Sequence, residues 1–165
     1  MSEKGYSIQR FRPEDVESAA SSFASYNKRR SMYKEFISEQ QAGRRISFSA
    51  TIDGVVVGYT NILWESGYVP FKAHRIPEIN NMHVLDPHQG KGIGSALIKT
   101  AEEEALSQGC HMVGIGVGLT EGYARAQRLY PKLGYVPDGR GEYEDEYDGV
   151  TYLIKQLIPS GTKFS

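Results

Sequence analysis

Cysteine is almost missing from this chain. Cys110 is the single one in 165 residues, which excludes an internal disulfide and any cysteine-built metal cluster. Its place just before the apolar run MVGIGV predicts a buried, unreactive thiol rather than a nucleophile. Long apolar runs are absent too: none approaches the ~20 residues that span a bilayer, and the opening MSEKGYSIQRF lacks the apolar stretch of a secretory signal. The expectation is therefore a cytoplasmic protein with no membrane partner. The four histidines, His74, His83, His88 and His111, never take the i, i+4 spacing with an acidic neighbour that a helical zinc site uses, so no metal is expected. An excess of charge of either sign is also lacking, since 19 Lys and Arg stand against 20 Asp and Glu. That balance argues against nucleic acid as a partner. The one basic cluster, KRRSMYK at 28–34, is a short run with no basic domain around it, and reads as a solvated face.

What is present is an ordered series of strand and helix signals without repeats, low complexity or a dividing linker, which predicts one domain over 1–165. Residues 6–11 alternate polar and apolar like a strand, and Pro13 followed by Glu14 and Asp15 opens a helix. A second helix covers about 32–42 and stops at Gly43. Residues 45–52 and 55–65 form the clearest hairpin, because Asp53-Gly54 supplies the positive φ angles of a type I′ turn. After a loop at 66–77 containing Gly67, Pro70 and Pro77 come a strand at 79–85, a helix at 92–108 stopped by Gly109, a strand at 112–117 and a helix at 123–133 stopped by Gly134. Strands at 135–137 and 150–158 close the chain. Consecutive hairpins together with strand-helix-strand crossovers predict an α/β fold, a mixed sheet of about seven strands with helices on both faces.

The stretch QGKGIGS at 89–95 joins a predicted strand to a predicted helix. Glycines there let the backbone approach a ligand, and the free N–H groups of the helix's first turn attract an anion such as phosphate. A P-loop is excluded, because Lys91 sits between Gly90 and Gly92 with no Ser or Thr after it. A dinucleotide fingerprint also fails, since its third glycine would fall on Ser95. Gln89, Gly92 and Gly94 instead make a Gln-x-x-Gly-x-Gly pattern that resembles the pyrophosphate signature of the GNAT superfamily of N-acetyltransferases. After the next strand, AQRLYPKLGY at 126–135 is similar to that family's A-x-x-L-Y-x-K-x-G-F segment, with Tyr135 in the final aromatic place. One departure is Tyr123, which stands where the family usually has an asparagine on the cofactor side.

The resemblance implies the GNAT fold and acetyl-CoA as co-substrate. It further implies an N-acetyltransferase that moves the acetyl group to a primary amine of a small molecule or protein, by direct attack within a ternary complex. A non-catalytic acyl-CoA-binding or sensor domain of the same fold is the alternative, and it would not need Tyr130. Homodimers are common among relatives, and the resemblance leaves one open here. Carried over by position, the cofactor-binding residues are Gln89, Gly90, Lys91, Gly92, Ile93, Gly94 and Ser95, together with the backbone of Met82, His83 and Val84.

Acetyl transfer has three requirements. A primary amine with pKa near ~10 is mostly protonated at neutral pH, so a base has to take its proton. Glu78, eleven positions before Gln89, is the candidate, because some family members carry a catalytic glutamate there. It reads equally as a strand-end carboxylate facing solvent, with Asn80 and Asn81 then orienting a water or simply occupying a bulge. The oxyanion needs fixed N–H groups, which the backbone at 82–84 would offer, and the His83 side chain reads as a packed or rim group. The departing thiolate needs a proton, for which Tyr130 is the candidate. Its other reading is a core aromatic beside Ala126, Leu129 and Leu133. Gly114, Gly116 and Gly118 recur at period two and strip one strand face, either for close packing or for a ligand. The acceptor is expected near the 66–77 loop, with Trp64, Tyr68 and Phe71, and near GEYEDEYDG at 141–149. In the latter Glu142, Glu144, Asp145, Glu146 and Asp148 suit a cationic small molecule or peptide, or a solvated turn.

Overall fold

A computed structural model describes residues 5–143 and 149–158. Seven strands lie in one sheet in the order β1-β2-β3-β4-β5-β7-β6, the mixed seven-stranded arrangement expected from the sequence. The chain divides into two compact units, the first formed by Met1–Trp64 with Asn80–Ala101 and the second by Glu65–Ile79 with Glu102–Ser165. No helix among the described residues is long and apolar enough to cross a membrane.

The first unit holds β1 (Ser7–Arg10), α1 (Asp15–Ser22), α2 (Arg30–Gln41), β2 (Arg45–Ile52) and β3 (Val55–Leu63). It also holds all but the first two residues of β4 (Glu78–Val84) and the start of α4 (Ile93–Ser107). The acidic opening of α1 works by reaching backwards: the Asp15 carboxylate accepts from the Arg12 N–H at 2.8 Å and pairs with the Arg12 guanidinium at 3.2 Å. That fixes the chain as it enters the helix. β2 and β3 pair antiparallel about Asp53 and Gly54, with φ angles of 50° and 78°, the predicted hairpin turn. Aromatic rings build this unit's core. Phe11, Phe23, Tyr33, Phe36 and Tyr59 are all buried, and the Tyr33 and Tyr59 rings meet edge to face at 5.5 Å.

In the second unit, β4 begins parallel to β5 (Met112–Gly118), with Glu78 opposite Gly114 and Ile79 opposite Ile115. β5 pairs antiparallel with β7 (Val150–Gln156), which pairs in turn with β6 (Val136–Tyr143). Between them in sequence lies α5 (Ala124–Lys132). Two elements depart from expectation. The 66–77 loop contains a one-turn helix, α3 (Val69–Ala73), opened by Pro70, whose missing N–H costs nothing in a first turn. β6 runs well past 137, because its register against β7 shifts between Pro137 and Glu142 and so admits Gly139 and Gly141 at φ of 85° and 84°. An edge strand tolerates such an irregularity, whereas the sequence DGRG reads as a turn. Cys110 is half-buried rather than buried, seated in the tight turn where its N–H returns to Ala105 O at 2.9 Å. Burial still pushes its thiol pKa up, which keeps it a poor nucleophile.

The glycine face of β5 is filled by aromatic rings. A Cβ on Gly114 would overlap the Phe71 ring of α3, one on Gly118 would overlap Tyr123, and one on Gly116 would stand 3.1 Å from the Tyr152 ring. Close packing is thus the use of this face, by single rings more than by a helix backbone. Phe71 is 1% exposed and has nowhere to go. Gly114→Ala is therefore expected to destabilise the fold by ~1–3 kcal/mol, the usual range for overpacking, and Gly116→Ala by less. Chemical denaturation of both variants checks the order.

Candidate active site

The candidate residues divide between the units. In the first, β4 ends in a single 3-10 turn at Asp86–His88 before the glycine loop. Gln89 faces inward: its amide donates to Val84 O at 3.0 Å and to Asp86 Oδ1 at 3.1 Å, so it ties the loop to the strand end. Gly90 and Gly92 then take φ of 79° and 85°, which L side chains adopt only with strain. A Cβ on either would meet nothing within 4 Å, so the loop's outer side is open. α4 follows directly, and its first return bond runs from Ala96 N to Gly92 O at 3.0 Å. By helix geometry the N–H groups of 92–95 have no partner within the helix. Ile93 is 1% exposed and anchors that turn, leaving its backbone for a ligand. Lys91 is exposed, with Nζ 3.2 Å from His88 Nδ1. Open space, free N–H donors, a helix dipole and a nearby cation together suit a pyrophosphate.

Upstream on β4, Asn81 has φ of 58°, the backbone break that adjacent asparagines suggest. Its side chain donates to Met32 Sδ at 3.5 Å, and Asn80 O accepts from Thr60 and Asn61 side chains, each at 3.5 Å. Met82 and His83 are half-buried and Val84 is buried. The His83 ring packs 4.9 Å from Phe23 and 4.7 Å from Tyr26. Burial first, and nearby Lys28 second, lower its pKa, while Asp86 opposes them. The imidazole is thus a neutral packing group, as its place in an alternating strand suggests.

In the second unit Glu78 is 7% exposed, which overturns its reading as a carboxylate facing solvent. Its Oε1 accepts from Ser66 Oγ at 2.5 Å, and Ser66 Oγ itself accepts from Tyr68 N at 2.9 Å. The Tyr68 phenol donates to Asp138 at 2.7 Å, and its ring stacks on Tyr152 at 3.6 Å. Ser66 and Asp138 went unseen in the sequence, because a lone Ser before Gly67 and an Asp before Gly139 both look like turn residues.

Tyr130 lies in the last turn of α5, 5% exposed, with its ring 6.1 Å from that of Tyr135. Burial holds its pKa above the ordinary phenol value, so it stays protonated. No hydrogen bond to its hydroxyl is found among the described residues. Gln127 missed notice as well. Its amide donates to Gly118 O at 2.8 Å and Thr120 O at 3.0 Å, bracing the turn into α5. Tyr123, in the family's asparagine position, lies over Gly118. Tyr135 is buried, and its hydroxyl reaches Glu102 at 2.8 Å; Lys155 pairs with the same carboxylate at 3.0 Å. Trp64 belongs to the first unit and is half-buried. Of the acidic run, Glu142 is exposed, while Glu144, Asp145, Glu146 and Asp148 lie outside the described residues.

Residues 13–135 match the acetyltransferase (GNAT) family, and the chain belongs to it. L-methionine sulfoximine/L-methionine sulfone acetyltransferase of Pseudomonas paraeruginosa is 25% identical over 129 residues, covering 76% of this chain and 72% of that enzyme. Among solved structures, an N-acetyltransferase from Staphylococcus aureus is 17% identical with a TM-score of 0.72, over 93% of this chain and 99% of that one. An aminoglycoside 6'-N-acetyltransferase complexed with coenzyme A is 16% identical with a TM-score of 0.70, over 94% of this chain and 99% of the other. The protein is a GNAT-family acetyltransferase with the corresponding fold.

Proposed function

We propose that this acetyltransferase moves the acetyl group of acetyl-CoA directly to a primary amine of a small molecule within a ternary complex. The observation that carries the reading is the open, positive-φ glycine loop running into the N-terminus of α4. There the backbone of Gly90, Lys91, Gly92, Ile93, Gly94 and Ser95 would hold the pyrophosphate, with Gln89 keeping the loop in shape. The backbone at 82–84 would pair with the pantetheine arm as an added strand does. The methionine sulfone acetyltransferase relative favours a small amine over a protein. The acidic composition of 142–148 favours an acceptor that arrives as an ammonium ion.

In the reaction, Glu78 takes a proton from the acceptor ammonium, and the freed nitrogen attacks the thioester carbonyl. The tetrahedral oxyanion is stabilised by backbone N–H groups. The C–S bond then breaks, the electron pair goes to sulfur, and Tyr130 donates its proton there, recovering one from the acetylated nitrogen by way of solvent. Phenol to thiolate is uphill by about 1.5 pK units in water, or ~2 kcal/mol. Burial that raises the phenol also raises a thiol held beside it, so the gap need not widen.

Thiol release from acetyl-CoA, measured with L-methionine sulfone, spermidine, an aminoglycoside and a lysine peptide, tests the proposal. Turnover with a small amine is expected, and turnover with the peptide alone overturns the acceptor class. Glu78→Gln separates the base from a structural carboxylate. It cannot accept a proton, so kcat/KM at neutral pH should fall by ~10²-fold or more and approach wild type in alkaline buffer, where the amine is already free. Superimposable pH profiles would return Glu78 to the scaffold.

A further inference from the structure

We propose that Ser66 is a positioning residue for the base, locking the Glu78 carboxylate in place; this rests on the reading of Glu78 as that base. A glutamate loses ~1.5–2 kcal/mol of side-chain freedom when held in one rotamer, so a base on a strand needs something to hold it. Ser66 is itself held on two sides. It is 2% exposed, and its Oγ accepts the N–H of Tyr68 two residues on, a local turn that fixes its χ1. Tyr68 in turn is pinned by Asp138 and by its stack on Tyr152. With one lone pair engaged, the hydroxyl hydrogen is left for Glu78 Oε1 at 2.5 Å. A carboxylate only accepts, so the direction of that bond is set and the carboxylate is held in one orientation. Among the described residues, Tyr68, Tyr152 on β7 and Asp138 on β6 are titratable groups linked to Ser66 through these contacts, Asp138 standing 4.0 Å from Arg140; α3 also carries Lys72, β6 Glu142 and β7 Lys155. β5 places Gly114 opposite Glu78, and α3 places Phe71 over that glycine.

The test compares kcat/KM against pH for wild type, Ser66→Ala, Ser66→Thr and Glu78→Gln, using whichever of L-methionine sulfone, spermidine, the aminoglycoside or the lysine peptide turns over best. Loss of one hydrogen bond to a charged group predicts a fall of about tenfold at neutral pH for Ser66→Ala. The loss should be concentrated on the acidic limb, where the base is needed, its rate should rejoin wild type in alkaline buffer, where the amine is already free, and KM for acetyl-CoA should not change. Ser66→Thr keeps the hydroxyl and should restore the wild-type limb. If Ser66→Ala fails to fold, Ser66→Cys, a weak donor of similar size, should lower the limb the same way. A wild-type limb in Ser66→Ala or Ser66→Cys, beside an altered one in Glu78→Gln, would overturn the role of Ser66 alone. A wild-type limb in Glu78→Gln would remove the base, and the role of Ser66 with it.

Discussion

Tyr130→Phe should lower kcat by ~10² to 10⁴, the range for loss of a general acid, with acetyl-CoA affinity and melting temperature nearly unchanged. The separation of effects follows from the site. The ring is buried at the end of α5 beside Tyr135, and phenylalanine fills the same space. The oxygen that is lost has no hydrogen bond among the described residues, so the fold gives up little with it. Because burial keeps the phenol protonated, the wild-type enzyme should show no basic limb from Tyr130 below pH ~10. A variant that retains wild-type kcat, with chemistry shown to be rate-limiting, would make Tyr130 a core residue only.

Gly92→Glu should abolish acetyl-CoA binding in a folded protein, by isothermal calorimetry. Two effects add. At φ of 85° any side chain strains the backbone, at a cost of ~1–3 kcal/mol. A carboxylate would also be placed against the pyrophosphate in front of free N–H groups that otherwise favour the anion. Since a Cβ at 92 meets nothing within 4 Å, the change does not collide with the protein itself, and the loss should fall on ligand more than on stability. Gly92→Ala isolates the strain, and should bind measurably better than the glutamate. Equal, undiminished affinity in both would sink the assignment of this loop to coenzyme A.

Much of this was legible because it is local. The Asp53-Gly54 hairpin, the glycine loop and the packed Tyr130 each announce themselves within ten residues, through turn chemistry or helical period. What stayed hidden depends on partners distant in sequence. The burial of Glu78 is a property of Ser66, twelve residues away, and of the packing around it. Tyr135 stands where relatives end the motif with phenylalanine, and only the fold reveals that Glu102 accepts from its hydroxyl while Lys155 pairs with the same carboxylate. The length of β6 was misread for a different reason. Positive-φ glycines look like a chain reversal, and a register shift on an edge strand is invisible to alternation.

The ring-filled face of β5 bears on how this enzyme can change. In most sheets a strand's own side chains are the material that variation works on, one position at a time. Here β5 has none at 114, 116 or 118 on that face, and the shape there is supplied by Phe71, Tyr152 and Tyr123 from elsewhere in the chain. Each glycine and the ring above it are therefore inherited as a pair: a larger residue at 114 becomes tolerable only after 71 has become smaller. Libraries that place residues larger than alanine at 114 alone should return little folded protein, whereas joint variation of 71 with 114 opens a set of folded sequences that no single step reaches.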